Sequence, residues 1–156
     1  MRNVSRKYPV FGIDLMYLEP NEQYLASVEV SKACIAGFIL QGNSVYSSVL
    51  DVSDSVWLPD VGGYFELSAE ERLHPVLCTA GDNGFSWLCV SFNVEGQYET
   101  GHVNVAGDYT LPAGWGFVVA KGEVTAEGKT ATQGLYFGPR ATDVVVSGNA
   151  DLIIVR

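Results

Sequence analysis

The chain has 156 residues, with nine Lys and Arg against 18 Asp and Glu, for a formal net charge of −9. Hydrophobic residues make up 47 % and charged residues 17 %, which excludes a disordered chain, while the acidic excess excludes strong binding to nucleic-acid phosphates. A single domain is expected at this length, and burial of roughly 68–70 % of the unfolded surface lets it fold without metal or disulfide.

Met1–Lys7 carries Arg2, Arg6 and Lys7 and no acid, like the start of a signal peptide. Pro9, Gly12, Asp14 and Glu19 interrupt the apolar run that would have to follow. Beyond this, short runs rich in Val, Ile, Tyr, Phe and Thr recur between Gly, Asn, Asp and Pro, the pattern of strands and turns. In chain order the predicted strands are Pro9–Leu18, Tyr24–Val30, Cys34–Gln41, Ser44–Leu50, Ser55–Leu58, Pro75–Thr79, Phe85–Phe92, Gln97–Val105, Gly116–Ala120, Glu123–Ala126, Lys129–Thr132, Gly134–Phe137, Thr142–Val146 and Leu152–Val155. Gln41-Gly42-Asn43, Gly81-Asp82-Asn83-Gly84, Gly107-Asp108, Glu127-Gly128 and Gly148-Asn149 read as the turns between them, the last two as hairpin tips. Ser68-Ala69-Glu70-Glu71 fits a capping box that opens one short helix, stopped by Pro75. Many short strands and one small helix mean an all-β sandwich or barrel.

Charge is uneven. Between Ala33 and Ala120 there are ten acids and one base, Arg72, and the rest of the chain is neutral. That segment reads as a solvated surface, since no block of five like charges occurs. Mimicry of nucleic acid rests on charge alone. Cys34, Cys78 and Cys89 form an odd set without metal or redox spacing, so a reducing, cytoplasmic setting is expected, with buried thiols acting as small hydrophobes. No run approaches the ~20 apolar residues of a membrane helix.

The last third is the most specific. Leu111-Pro112-Ala113-Gly114 precedes a strand, Phe117-Val118-Val119-Ala120-Lys121-Gly122-Glu123-Val124 reads as strand, Gly turn and strand, Gly134-Leu135-Tyr136-Phe137-Gly138-Pro139 follows, and Val144–Val146, Gly148-Asn149 and Asp151–Val155 close the chain. Over about 50 of the 156 residues this rhythm resembles the core of the cupin superfamily, a jelly-roll β-barrel. The resemblance implies one all-β domain over 1–156, in which 107–156 supplies the cupin-like core and 1–106 the additional strands and loops. It also implies where a metal site would lie, and those positions do not match. Counting back from Gly122, the family's Glu position falls on Trp115. The first-motif histidines would fall near Asp108–Leu111 and the second-motif histidine near Asp143–Val144, and none is there. A metal wants three or four converging ligands, and no metal or other cofactor is expected.

The chain has two histidines. His74, before Pro75, reads as a surface or helix-end residue. His102 could act as a base with Glu99, but neighbours separated by an odd number of positions on a strand face opposite ways. Trp57 and Trp87 sit in apolar runs and read as core. Trp115, between two glycines, either plugs a barrel end or stacks on a ligand. With Tyr109, Tyr136 and Arg140 it forms the candidate ligand-binding set. The leading functional reading is a non-enzymatic module for protein interaction or assembly, partnered by itself as a homo-oligomer or by another protein. Its size and free cysteines resemble those of small bacteriophage proteins. The alternatives are a metal-independent binder of a small molecule such as a sugar, or a metal-free isomerase or lyase on the same barrel, for which no catalytic residue is assigned.

Overall fold

A computed structural model describes residues 2–8, 11–26, 35–48, 55–57, 63–67, 76–92 and 98–156. Twelve strands lie among them and no helix. The expected helix at 68–71, with Cys34 and His74, falls outside the described residues. The chain divides into two compact units, Met1–Gly96 and Gln97–Arg156.

The first unit is built on two long antiparallel strands, β4 (Ile35–Ser48) and β7 (Val76–Phe92). Shorter strands flank them. β2 (Phe11–Leu18) and β3 (Gln23–Ala26) pair with the two halves of β7. β6 (Tyr64–Leu67) and β5 (Ser55–Trp57) pair with the two halves of β4. β1 (Arg2–Lys7) lies outside β2 at the edge of the sheet. One core holds Met16, Leu18, Ile39, Cys78, Ala80, Phe85 and Trp87. Phe65 stacks on Trp87 with ring centroids 5.8 Å apart. Trp87 is core, as its apolar run implies, and Cys78 and Cys89 are buried.

The second unit is a five-stranded antiparallel sheet. β12 (Val144–Val155) lies between β8 (Thr100–Leu111) and β9 (Gly116–Ala126), while β10 (Lys129–Thr132) and β11 (Tyr136–Phe137) pair with the two halves of β9. The 106/107 point therefore lies inside β8. Alternate residues Val105 and Leu111 of β8 and Val144, Val146, Ala150 and Leu152 of β12 enter one core with Phe117, Val119, Val124 and Ala126 of β9. On β9 the inward set changes from odd to even positions. The cause is a bulge: Lys121 pairs with Asp151 but Val119 with Leu152, so Ala120 is an extra residue that reverses the alternation.

Several expected turns are bends inside long strands. Gly42 lies within β4, Gly84 within β7, Gly107 within β8, Gly122 within β9 and Gly148 within β12, all at positive φ. Gly107 pairs with Gly148, and Gly122 pairs with Ala150 two residues further along β12. A Cβ on Gly122 would strike the Asn149 carbonyl and lie 2.9 Å from the Ala150 Cα, so the strands approach closely only because glycine stands there. Gly148-Asn149 and Lys121-Gly122 are thus not hairpin tips. Glu127-Gly128 is one, with φ of 51° and 74°, joining β9 to β10 through the Lys129–Ala126 pair.

Candidate functional site

Three of the four expected ligand residues meet at the turn before β9. The residue before Pro112 is held extended, and the Gly114 N–H then donates to the Arg140 carbonyl (2.9 Å) and the Trp115 N–H to the Pro112 carbonyl (3.2 Å). Asp143 fixes the same turn by accepting from the Ala113 N–H at 2.9 Å. Tyr136 lies against Gly116, where a Cβ would come within 3.0 Å of its ring and hydroxyl. Tyr109 sits further along β8, opposite Val146. It packs, with Trp115 and Phe137, against the core of the second unit.

Arg140 and Trp115 of this set are both engaged within the unit. Arg140 Nε donates to Glu127 Oε1 at 2.8 Å and Nη1 to the Gly138 carbonyl at 2.8 Å. Its guanidinium lies 4.2 Å above the Phe137 ring, which stacks on buried Phe117 at 5.0 Å. Trp115 is covered by Arg156, whose guanidinium is 4.7 Å from the ring and is held by Glu99 at 2.8 Å. Because Arg140 and Glu127 are 41 % and 45 % exposed, water screens the pair. Arg140→Ala is expected to lower stability by no more than about 1–1.5 kcal/mol, from a screened pair and a cation–π contact. A loss well above that in urea unfolding would make the column an essential part of the core.

His102 finds an acid that sequence spacing does not reveal. Glu99 turns to Arg156, and its N–H and carbonyl exchange hydrogen bonds with the Arg156 backbone. His102 Nε2 instead lies 2.9 Å from Asp151 Oδ1, which also accepts from Asn104 Nδ2 at 3.0 Å. Strand register makes this pair: Ile153 is opposite His102 and Asp151 opposite Asn104, so the side chains meet on the diagonal. Lys121 lies opposite Asp151 on the other side. Among the described residues no group of three or more His, Cys, Asp or Glu is placed to hold a metal ion.

The other polar concentration is β1. All six residues are exposed, Val4 by 62 %. Ser5 donates to Asp14 of β2, and Arg2 lies 4.5 Å above the Tyr17 ring. Arg6 and Lys7 enter no ion pair among the described residues, whereas Arg140 and Arg156 do. Sequence reading missed this strand because it lacks apolar alternation, the mark of an edge with no face to bury.

No sequence-family model matches the chain, and no curated protein matches it in sequence. Solved structures do. HutD from Pseudomonas fluorescens SBW25 is 16 % identical, with a TM-score of 0.63 over 93 % of this chain and 77 % of its own. The cupin 2 conserved barrel domain protein from Leptotrichia buccalis is 13 % identical, with a TM-score of 0.57 over 99 % of this chain and 88 % of its own. The chain has a cupin fold. A putative glyoxylate induced protein from Pseudomonas aeruginosa superimposes on the same chain with a TM-score of 0.64 at 9 % identity, over 99 % of this chain and 79 % of its own. At such identities the likeness carries architecture and no activity. Among the described residues, no helix is long and apolar enough to cross a membrane.

Proposed function

We propose that this protein is a non-enzymatic module, one β domain over 1–156, that works by binding other protein chains. The observation that carries the reading is β1: a fully exposed strand at the end of a sheet, with one side unpaired among the described residues. Unpaired strand edges are ready-made templates for another chain. The engagement of Arg140 by Glu127 and Phe137, and of Trp115 by Arg156, gives these side chains structural work without a ligand.

One observation favours a second reading. Trp115, Tyr136 and Arg140 converge on one turn, as a small-molecule site at a barrel mouth requires. Native mass spectrometry of the protein as purified from cells separates the two. The expected result is a discrete oligomer, or a complex with another protein, with no added small mass. A monomer carrying a stoichiometric small mass would overturn the interaction reading in favour of the second.

A further inference from the structure

We infer that β1 recruits an acidic, extended segment of a different protein, which adds to the sheet as a strand beside Arg2–Lys7. The inference rests on the interaction reading and names the partner's chemistry.

The chain carries −9 overall, yet β1 holds three cations and no anion in six residues. On the described part of the first unit these are its only Lys and Arg. Alternation places Arg2, Val4 and Arg6 on one face and Asn3, Ser5 and Lys7 on the other. An added strand would therefore meet positive charge on both faces, and an exposed valine between the two arginines.

Self-pairing is disfavoured by the same residues. Two β1 strands aligned antiparallel would gather six cations into one ribbon, placing Arg2 opposite Lys7 twice. Like charges directly opposed destabilise strand pairs, and cationic edges are a known guard against self-association. An acidic strand reverses the sign of every such pair. Backbone hydrogen bonds along the edge would supply affinity, and alternate acidic side chains the selectivity.

The test uses the full chain and two fluorescein-labelled peptides of equal charge: one of five Glu-Val repeats, and the same peptide N-methylated at every residue, which has no backbone N–H to donate along an edge. Fluorescence anisotropy is expected to show binding of the Glu-Val peptide, at least about tenfold weaker binding of the N-methylated peptide, and loss of at least about tenfold in the Arg2→Glu, Arg6→Glu double variant, whose two side chains share a face, roughly one opposed-charge pair per substitution. Both side chains are exposed, and hydrogen exchange checks the fold of the variant. In the wild type, the peptide is expected to slow exchange of β1 amides. Equal binding of the two peptides would reduce the effect to charge attraction and overturn the proposal, as would no binding up to about 1 mM, where affinity falls to about −4 kcal/mol. Outward-facing β1 amides, those not bonded to β2, already protected without peptide, in a protein that native mass spectrometry finds to be a homo-oligomer, would overturn it in favour of a second copy at this edge. That outcome leaves the interaction reading intact.

Discussion

Gly122→Ala is expected to cost about 3 kcal/mol or more, enough to remove a large part of the stability of a domain this size. Two costs add. At φ 90° an L side chain pays about 1–2 kcal/mol of backbone strain. The new Cβ must also push the Asn149 carbonyl and the Ala150 Cα of β12 away, which breaks strand hydrogen bonds on both sides of the bend. Gly128→Ala separates the two costs. Gly128 is also at positive φ (74°), at the β9–β10 hairpin tip, but a Cβ there meets nothing within 4 Å, so its variant should lose only about 1–2 kcal/mol. Urea unfolding of both variants decides the matter. Equal losses would mean that strand approach at Gly122 contributes nothing beyond its dihedral angle.

Phe117→Ala is expected to cost about 3–5 kcal/mol. Phe117 is fully buried in the core of the second unit and stacks face to face on Phe137, so its removal opens a cavity and strands the Phe137–Arg140 pair above it. Val145→Ala on the neighbouring strand is the control. Val145 is 57 % exposed and its truncation should stay within about 0.5 kcal/mol. If Phe117→Ala unfolds at the same urea concentration as Val145→Ala, the stack is not part of the stabilising core.

The strand chemistry of the chain was legible before its topology. The apolar runs in Thr142–Val146, Leu152–Val155 and Phe85–Phe92 read as strand, and the structure has strand there from Val144 to Val155 and across Phe85–Phe92. What could not be read was that these pieces are halves of single long strands. Glycine at positive φ serves equally in a turn between strands and in a bend within one, and the local sequence of Gly148-Asn149 does not differ between the two. Only the partner strand decides: Gly148 faces Gly107 on one side and Val124 on the other. Edge strand β1 was hidden for the opposite reason, since an exposed cationic strand has no pattern to display. In the candidate site, the turn chemistry of Pro112–Gly116 pointed to where Trp115, Tyr136 and Arg140 meet. Their partners Glu127 and Arg156 were out of reach, because pairing across strands follows register and not distance along the chain.

The place of β12 bears on how the protein is made. β8 and β9 follow each other in sequence but do not pair; the slot between them is filled by the last strand, with Thr100 opposite Val155. During synthesis β8 and β9 leave the ribosome long before β12, each with its ladder side unpaired. The first unit, whose strands all precede Gly96, can fold while the second waits. Long-range pairing of this kind is slow, and a waiting slot of two unpaired strand edges is where the nascent chain is most exposed to aggregation or to capture by a chaperone.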